Sequence, residues 1–382
     1  MSSEEPLCEK VDLFRARAGG YATYRVPGIV VTPEGTVLAY GEARKSKAGD
    51  WGAIDILMRR STDRGRTWDD PHKMNEAGRE VPKNPVALEQ DLATTKEHTF
   101  NNAVGIVDRR MGIVHFLYCA EYARCYYMCS EDDGQTFDDP VDITAMFQHF
   151  RPVYDWRVIA IGPGHGIQLH NGRLLVPVWM STGTGGHGHR PSCVSVIYSD
   201  DHGATWKGGE IVVTPPELEN PSETMAVQLH DGRVMLNIRH EGEPHRRAVS
   251  FSPNGVSDWS PVRFEEDLFE PVCMGSIVRL SEYPEHDKNR LLFANPDSGQ
   301  VGERRNVTIR LSYDEGETWP VSRRLESGIS GYTDLGVGPD GTIYCIYERG
   351  AAAESQYDPC YLTVARFNLP WLTRGEDSLT AG

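Results

Sequence analysis

A repeated octapeptide limits the fold more than any other feature of this chain. STDRGRTW at 61–68, SEDDGQTF at 130–137, SDDHGATW at 199–206 and SYDEGETW at 312–319 all read Ser-x-Asp-x-Gly-x-Thr-aromatic. The first three copies begin 69 residues apart, and the gap before the last is close to two repeats and holds a worn copy, SFSPNGVSDW at 250–259. A tight turn accounts for these residue types. Ser and Asp oxygens accept backbone N–H groups, Gly supplies a conformation other residues avoid, and the aromatic ring packs on the neighbouring strand. Each copy follows a strand-like run such as IDILMRRS, CYYMCS, CVSVIYS or VTIRLS, so the motif acts as a hairpin staple.

Ahead of each staple stand two apolar runs joined by a turn. IVVTPEGTVLAY, VGIVDRRMGIVHFLY, IQLHNGRLLVPVW, VQLHDGRVMLNIR, IVRLSEYPEHDKNRLLFA and LGVGPDGTIYCIYE are six such hairpins, each with a second hairpin after it. Six units of four strands, about 64 residues each, predict an all-β six-bladed propeller of antiparallel sheets. The sixth unit ends in CYLTVARFNLPWL without a staple, so the N-terminal strand near Val11–Arg15 is expected to join the last sheet and close the ring. No composition shift, linker or charge block divides the chain, and 1–382 reads as a single propeller.

Composition narrows the partners. With 39 basic and 55 acidic side chains the net charge is −16, which argues against nucleic acid or an anionic membrane as a general partner. An anionic ligand would therefore have to be attracted locally. The eight cysteines are scattered singly, without CxxC or metal-finger spacing, and most read as small core residues of strands, which fits a reducing compartment. The start, MSSEEPLCEKVDLF, has no basic n-region or apolar run, so the expectation is a cytoplasmic chain as it stands, secreted or periplasmic if a signal has been trimmed. Neither a cofactor nor a metal is expected.

Propeller sites draw on loops at one end of the channel, so their residues lie far apart in sequence. Polar groups that interrupt apolar strand patterns are the ones to follow. Arg25 stands in YRVP at the start of blade one, Arg239 ends LNIR in blade four, and Arg304 and Arg305 precede VTIR in blade five. Guanidinium forks from separate blades can converge on one anion and hold a carboxylate in a bidentate way. Asp50 sits beside Trp51 in GEARKSKAGDWG. Glu223 precedes the inner strand of blade four, sixteen residues before Arg239, and the turn at Asp231-Gly232 sets both at one end of the hairpin. Tyr332 in ISGYTDLGV precedes the inner strand of blade six among small residues that leave its hydroxyl accessible.

With these residues in hand the chain resembles the exo-α-sialidases, or neuraminidases, of the cellular and bacterial type. The similarity runs over nearly its whole length, through YRVP, the Asp boxes, GPGHGIQL at 162–169, the spacing of Glu223 to LNIR, and GYTDL followed by Tyr347-Glu348. The resemblance implies that Arg25, Arg239 and Arg304 form the triad on the sialic acid carboxylate, with Arg304 preferred over Arg305 because it stands three residues before VTI. It implies that Tyr332 is the nucleophile, Glu223 its base, Asp50 the acid/base and Glu348 the support of Arg25. The anomeric carbon of a sialoside bears a carboxylate, so an anionic nucleophile would be repelled where a neutral phenol is not. Two displacements give retention. Acid catalysis needs a protonated Asp50, hence an acidic pH optimum and a closed, partly dry loop around Trp51.

The same resemblance makes Arg44 and Asn102 substrate-binding candidates. His187 and His189 in TGTGGHGHRP lack an accompanying acidic or Cys set and read as loop histidines at a pocket rim, and His165 reads as structural. Arg157 and Ile161 stand where relatives place small or polar residues lining the acyl and glycerol pockets, and are expected to alter the choice among sialic acid forms. The expected substrates are sialylated glycans or glycoconjugates. The alternatives are a hydrolase of a deaminated nonulosonic acid, an anhydro-forming sialidase, or a non-catalytic sialic-acid-binding propeller.

Overall fold

Strand pairing follows the repeats. In a computed structural model, which describes residues 5–46, 49–75, 81–94, 96–352 and 355–382, the inner strand Thr23–Val31 of blade 1 pairs antiparallel with Val37–Arg44. Ile54–Ser61 follows, and the two-residue outer strand His72–Lys73 ends the sheet. Six such sheets form the expected six-bladed propeller. The N-terminal strand Cys8–Arg15 pairs antiparallel with Tyr361–Phe367 and becomes the outer strand of blade 6, so the ring is closed by its first element.

Burial falls from the axis outwards. Both inner strands of blade 1 are buried throughout, whereas His72 and Lys73 are exposed, and short charged outer strands discourage edge-to-edge pairing. Six apolar clusters fill the six seams between blades. One joins Leu38, Tyr40 and Ile56 of blade 1 to Phe116 and Tyr118 of blade 2, and another joins Leu292 and Ile309 of blade 5 to Leu335 and Phe367 of blade 6.

The boxes work as staples between the third and fourth strands. In the second copy Ser130 Oγ donates to Asp132 and accepts the Gly134 amide at 2.9 Å, while the two Asp132 oxygens receive the Thr136 amide at 2.8 Å and hydroxyl at 2.6 Å. Gly134 has φ +77°, the left-handed region where a side chain is strained. The worn copy keeps the device with Ser252, Asn254 and Gly255.

Blade 3 departs from the simple pattern. Its inner strand is broken into Val158–Ile161 and Ile167–Gln168, and between them Gly164–His165 crosses to run parallel to blade 2. The detour carries His165 to Asp334, whose fully buried carboxylate also accepts Ile29 N, Ser276 Oγ and Leu335 N. One side chain thus ties together blades 1, 3, 5 and 6 near the axis, the structural role expected of His165.

Candidate active site

Inner strands begin and second strands end at one face of the ring, and there the polar residues gather. A cavity of about 210 Å³ is lined by Arg25, Arg44, Asp50, Asn102, Glu223, Arg239, Arg304 and Tyr332, all singled out from the sequence. Glu348 stands directly behind Arg25. Arg305 is exposed and does not reach the cavity, whereas Arg304 is 6% exposed at its wall.

Bulges turn several of these side chains inwards. Register shifts interrupt the inner strands between Arg25 and Gly28, Asn101 and Val104, and Ser330 and Thr333. An extra residue re-aims the strand at that point. Val26 and Asn102 take φ of +52° and +53°, a costly state for a β-branched valine that the surroundings must enforce. Glu348 does so on one side: its Oε1 accepts both Val26 N at 3.2 Å and Arg25 Nε at 3.0 Å, and its Oε2 accepts Tyr332 N. Glu42 does so on the other, accepting Asn102 N at 3.1 Å. A Cβ on Gly331 would come within 2.3 Å of Glu348 Oε2, so only glycine lets Glu348 reach the strand beside Tyr332. Tyr332 therefore lies within the strand Ser330–Val337, not ahead of it as expected.

Three cations ring one phenol. The guanidinium carbons of Arg25, Arg239 and Arg304 lie 5.4, 6.0 and 5.1 Å from the Tyr332 ring centre. The Tyr332 hydroxyl donates to Glu223 Oε1 at 2.5 Å and accepts Arg239 Nη1 at 2.8 Å, and Arg239 also pairs with Glu223 Oε2. Burial pushes the phenol well above its ordinary value, against the pull of Arg239 and Arg304 and helped by Glu223. At rest it is a neutral hydroxyl with a carboxylate ready to take its proton. Arg239 Nε is buried without a partner among the described residues, and Arg304 Nη2 donates to the Val272 carbonyl at 3.0 Å.

Asp50 lies on the 3₁₀ turn Gly49–Trp51, while Lys47 and Ala48 of the same loop fall outside the described residues. Trp51 is buried, with its ring 4.5 Å from Tyr122 and 5.1 Å from His189. Asp50 itself is half-exposed, its side chain 44% accessible beside the buried Trp51. Arg44 Nη2 is shared between Asp50 Oδ1 at 2.8 Å and the buried Glu42 at 2.6 Å. Desolvation opposes the charge on Asp50, but Arg44, His189 and Arg25 outweigh it and hold the carboxyl well below its usual range. Desolvation also lowers His189 to about 4, so its pull on Asp50 acts only at acidic pH.

Other expectations change. Arg157 turns outwards to Glu89 at 2.6 Å, and Ile161 is fully buried in the core between blades, so neither lines the cavity and neither can set the preference among sialic acid forms. His187 and His189 do line it. No group of three or more metal-ligating side chains occurs among the described residues. Sequence reasoning missed Glu42, Tyr122, Trp179, Arg190, Asn220 and Glu241, all on the cavity wall. Glu42 left a signal, an acid inside the apolar strand VLAYGEAR. Tyr122, on a turn with φ +49°, left none.

Known proteins share this architecture. A BNR repeat-like domain matches residues 88–345. The chain is 33% identical to a sialidase of Micromonospora viridifaciens over 96% of its own length and 55% of that protein, and 28% identical to a sialidase of Bacteroides fragilis over 87% and 61%. It thus spans little more than half the length of these two relatives. With Sialidase-3 of Mus musculus it shares 27% identity over 93% of its own length and 94% of the relative. Among solved structures, the Hadza microbial sialidase Hz136 superposes with a TM-score of 0.77 at 25% identity, covering 95% of this chain and 69% of that one. The intramolecular trans-sialidase from Ruminococcus gnavus, at 17% identity and a TM-score of 0.76, shares the fold over 95% of this chain and 98% of that one.

Proposed function

Since the chain belongs to the exo-α-sialidase family with BNR repeats, we propose that it is a retaining exo-α-sialidase that removes terminal sialic acid from glycoconjugates, its whole length serving as one catalytic propeller. The observation that carries this reading is the Tyr332 hydroxyl hydrogen-bonded to Glu223 at 2.5 Å inside a ring of three guanidinium groups.

Arg25, Arg239 and Arg304 bind the substrate carboxylate, and Arg44 and Asn102 add to the wall of the same cavity. The incoming carboxylate replaces Glu223 as partner of Arg239, freeing Glu223 to act as base. Tyr332 Oη then attacks the anomeric carbon as Glu223 takes the phenolic proton. Asp50 gives its proton to the glycosidic oxygen, and the carbon–oxygen bond to the leaving group breaks. In the second half a water attacks the same carbon, Asp50 takes one of its protons, and Tyr332 departs, recovering its proton from Glu223. Two inversions leave the configuration retained. A carboxylate nucleophile would meet the substrate's own carboxylate, whereas the buried phenol arrives uncharged and gains its charge only as the bond forms, next to Arg239 at 2.8 Å.

Release of 4-methylumbelliferone from its sialoside tests the reading. Wild type should turn over, and Tyr332→Phe should lose at least a hundredfold in kcat while still binding sialic acid, since the triad is intact. A folded wild type that binds sialosides but releases nothing would leave the sialic-acid-binding propeller as the better account.

A further inference from the structure

We infer that Arg247, which does not line the cavity, is the positioning residue for two of the three arginines in the ring, and that Glu270 holds it to that task. The inference rests on the sialidase reading, in which Arg239 and Arg304 bind the substrate carboxylate.

Arg247 and Glu270 are both fully buried, with Nη1 2.6 Å from Oε2. Stability alone does not call for a charged pair there, because apolar side chains of similar volume often serve as well. What the pair supplies is direction. Arg247, on the strand Arg246–Ser252 of blade 4, divides its fork between two separate elements. Its Nε donates to Asn237 Oδ1 at 2.6 Å and its Nη2 to the Asn237 carbonyl at 3.1 Å, while Nη1 donates to Glu270 and to the Cys273 carbonyl at 3.2 Å.

Each element leads to one arginine of the ring. Asn237 belongs to the strand Val234–Ile238, and Arg239 follows it by two residues. On the other side, Glu270 Oε1 accepts the amides of Val272 at 2.7 Å and Cys273 at 3.1 Å, which shapes the bend between blades 4 and 5. Val272 there has φ +62°, a costly state for a β-branched residue. Its carbonyl accepts Arg304 Nη2 at 3.0 Å.

One planar guanidinium thus sets the strand that presents Arg239 against the bend that orients Arg304. Glu270 balances its charge, so the pair acts on the ring by geometry and adds no net charge to it. A lysine would keep the charge opposite Glu270, but as a point charge on a flexible stem it could not hold both elements at once. A binding site is only as well placed as the side chains behind it.

The test reads the Kd of a 2,3-unsaturated sialic acid analogue, which carries the carboxylate and needs no turnover, together with KM and kcat on the 4-methylumbelliferyl sialoside. Arg247→Lys should weaken the analogue about tenfold and raise KM by a similar factor, with kcat held within about threefold, since the carboxylate is gripped in ground and transition states alike. In an Arg304→Ala background the same substitution should change Kd by about threefold or less, because part of what it disturbs is already gone. Asn237→Ala cuts the link from the strand side, leaves the ion pair in place, and should weaken the analogue about fivefold or more. Arg290 is as deeply buried but pairs with Asp287 and Asp377, so Arg290→Lys should lower the thermal midpoint and leave Kd unchanged. An unchanged Kd in folded Arg247→Lys or Asn237→Ala, an equal loss with and without Arg304, or a loss of the same size in Arg290→Lys would each overturn the positioning role. A wild type that binds the analogue but releases no 4-methylumbelliferone would overturn the hydrolase reading alone and leave the Kd comparison to decide this one. A wild type that does not bind the analogue would overturn both.

Discussion

In the proposed reaction, a contest between burial and charge at Asp50 decides the pH at which the site can work. Arg44 is the strongest of the cations that keep the carboxyl ionised, and Glu42 fixes Arg44 in turn. A general acid must carry its proton, and the protonated fraction of Asp50 falls as pH rises through its pKa. A lowered pKa therefore sets the alkaline limb of kcat/KM at acidic pH. Removing Arg44 alone would strand the buried Glu42, so the informative variant is Glu42→Gln with Arg44→Met, which deletes the pair without leaving a lone charge. Its alkaline limb on sialyl-lactose should move to higher pH, and an unmoved limb would mean that Arg44 does not govern the acid. Arg25, Glu223, Arg239 and Tyr332 were legible in the sequence because each breaks an apolar strand pattern. Tyr122 and Glu241 were not, since a turn tyrosine and a loop glutamate acquire meaning only when blades 2 and 4 bring them to the same wall.

Each of blades 1 to 5 is held by its box, and the carboxylate of the box resists protonation. The hydroxyl and amide of Thr67 hold Asp63 down at about 2, and Thr136 does the same for Asp132. A depressed carboxyl contributes stability above the unfolded value of about 3.9 and loses it as pH falls towards 2. The staples thus stay ionised at mildly acidic pH and weaken only as pH approaches 2. Within the box, serine is the buried member. Ser130 is 2% exposed, and replacing it by alanine strands the buried Gly134 amide. Ser130→Ala should cost about 1–3 kcal/mol, read as a lower urea midpoint with the slope unchanged. Ser252 occupies the same place in the worn copy and accepts the Gly255 amide at 2.9 Å, so the hydrogen bond outlasts the consensus.

Closure is a property of the whole ring. The strand Cys8–Arg15 covers the edge of Tyr361–Phe367, buries Leu13 and Phe14 to 5% and 4% exposure, and stacks Phe14 on Tyr24 of blade 1 at 5.2 Å. Asp12 meets Arg349 at 2.7 Å across the same sheet. Deleting residues 1–15 removes two buried apolar side chains, worth about 1.5–3 kcal/mol each, and exposes a seven-residue edge strand. The truncated chain should melt several degrees lower and elute partly as aggregate. A monomer of unchanged melting temperature would show that the ring does not depend on this strand. The net charge of −16 belongs to the same scale: on the proposed function the overall field opposes an anionic sugar, so its attraction has to come from the arginines of one cavity.

The sequence by itself determined the blade count, the staples and the closing strand, because each is written in local periodicity and turn chemistry that need only near neighbours. It also marked which arginines, acids and phenol lie at strand ends. Tertiary structure alone decided that Arg304 and not Arg305 faces the cavity, that Arg157 and Ile161 do not, and that Glu42, Tyr122 and Tyr357 do. Alternation along a strand limits a side chain to one of two faces, but bulges at Arg25, Asn101 and Ser330 shift that alternation. Which face then meets the axis depends on how six sheets close around it.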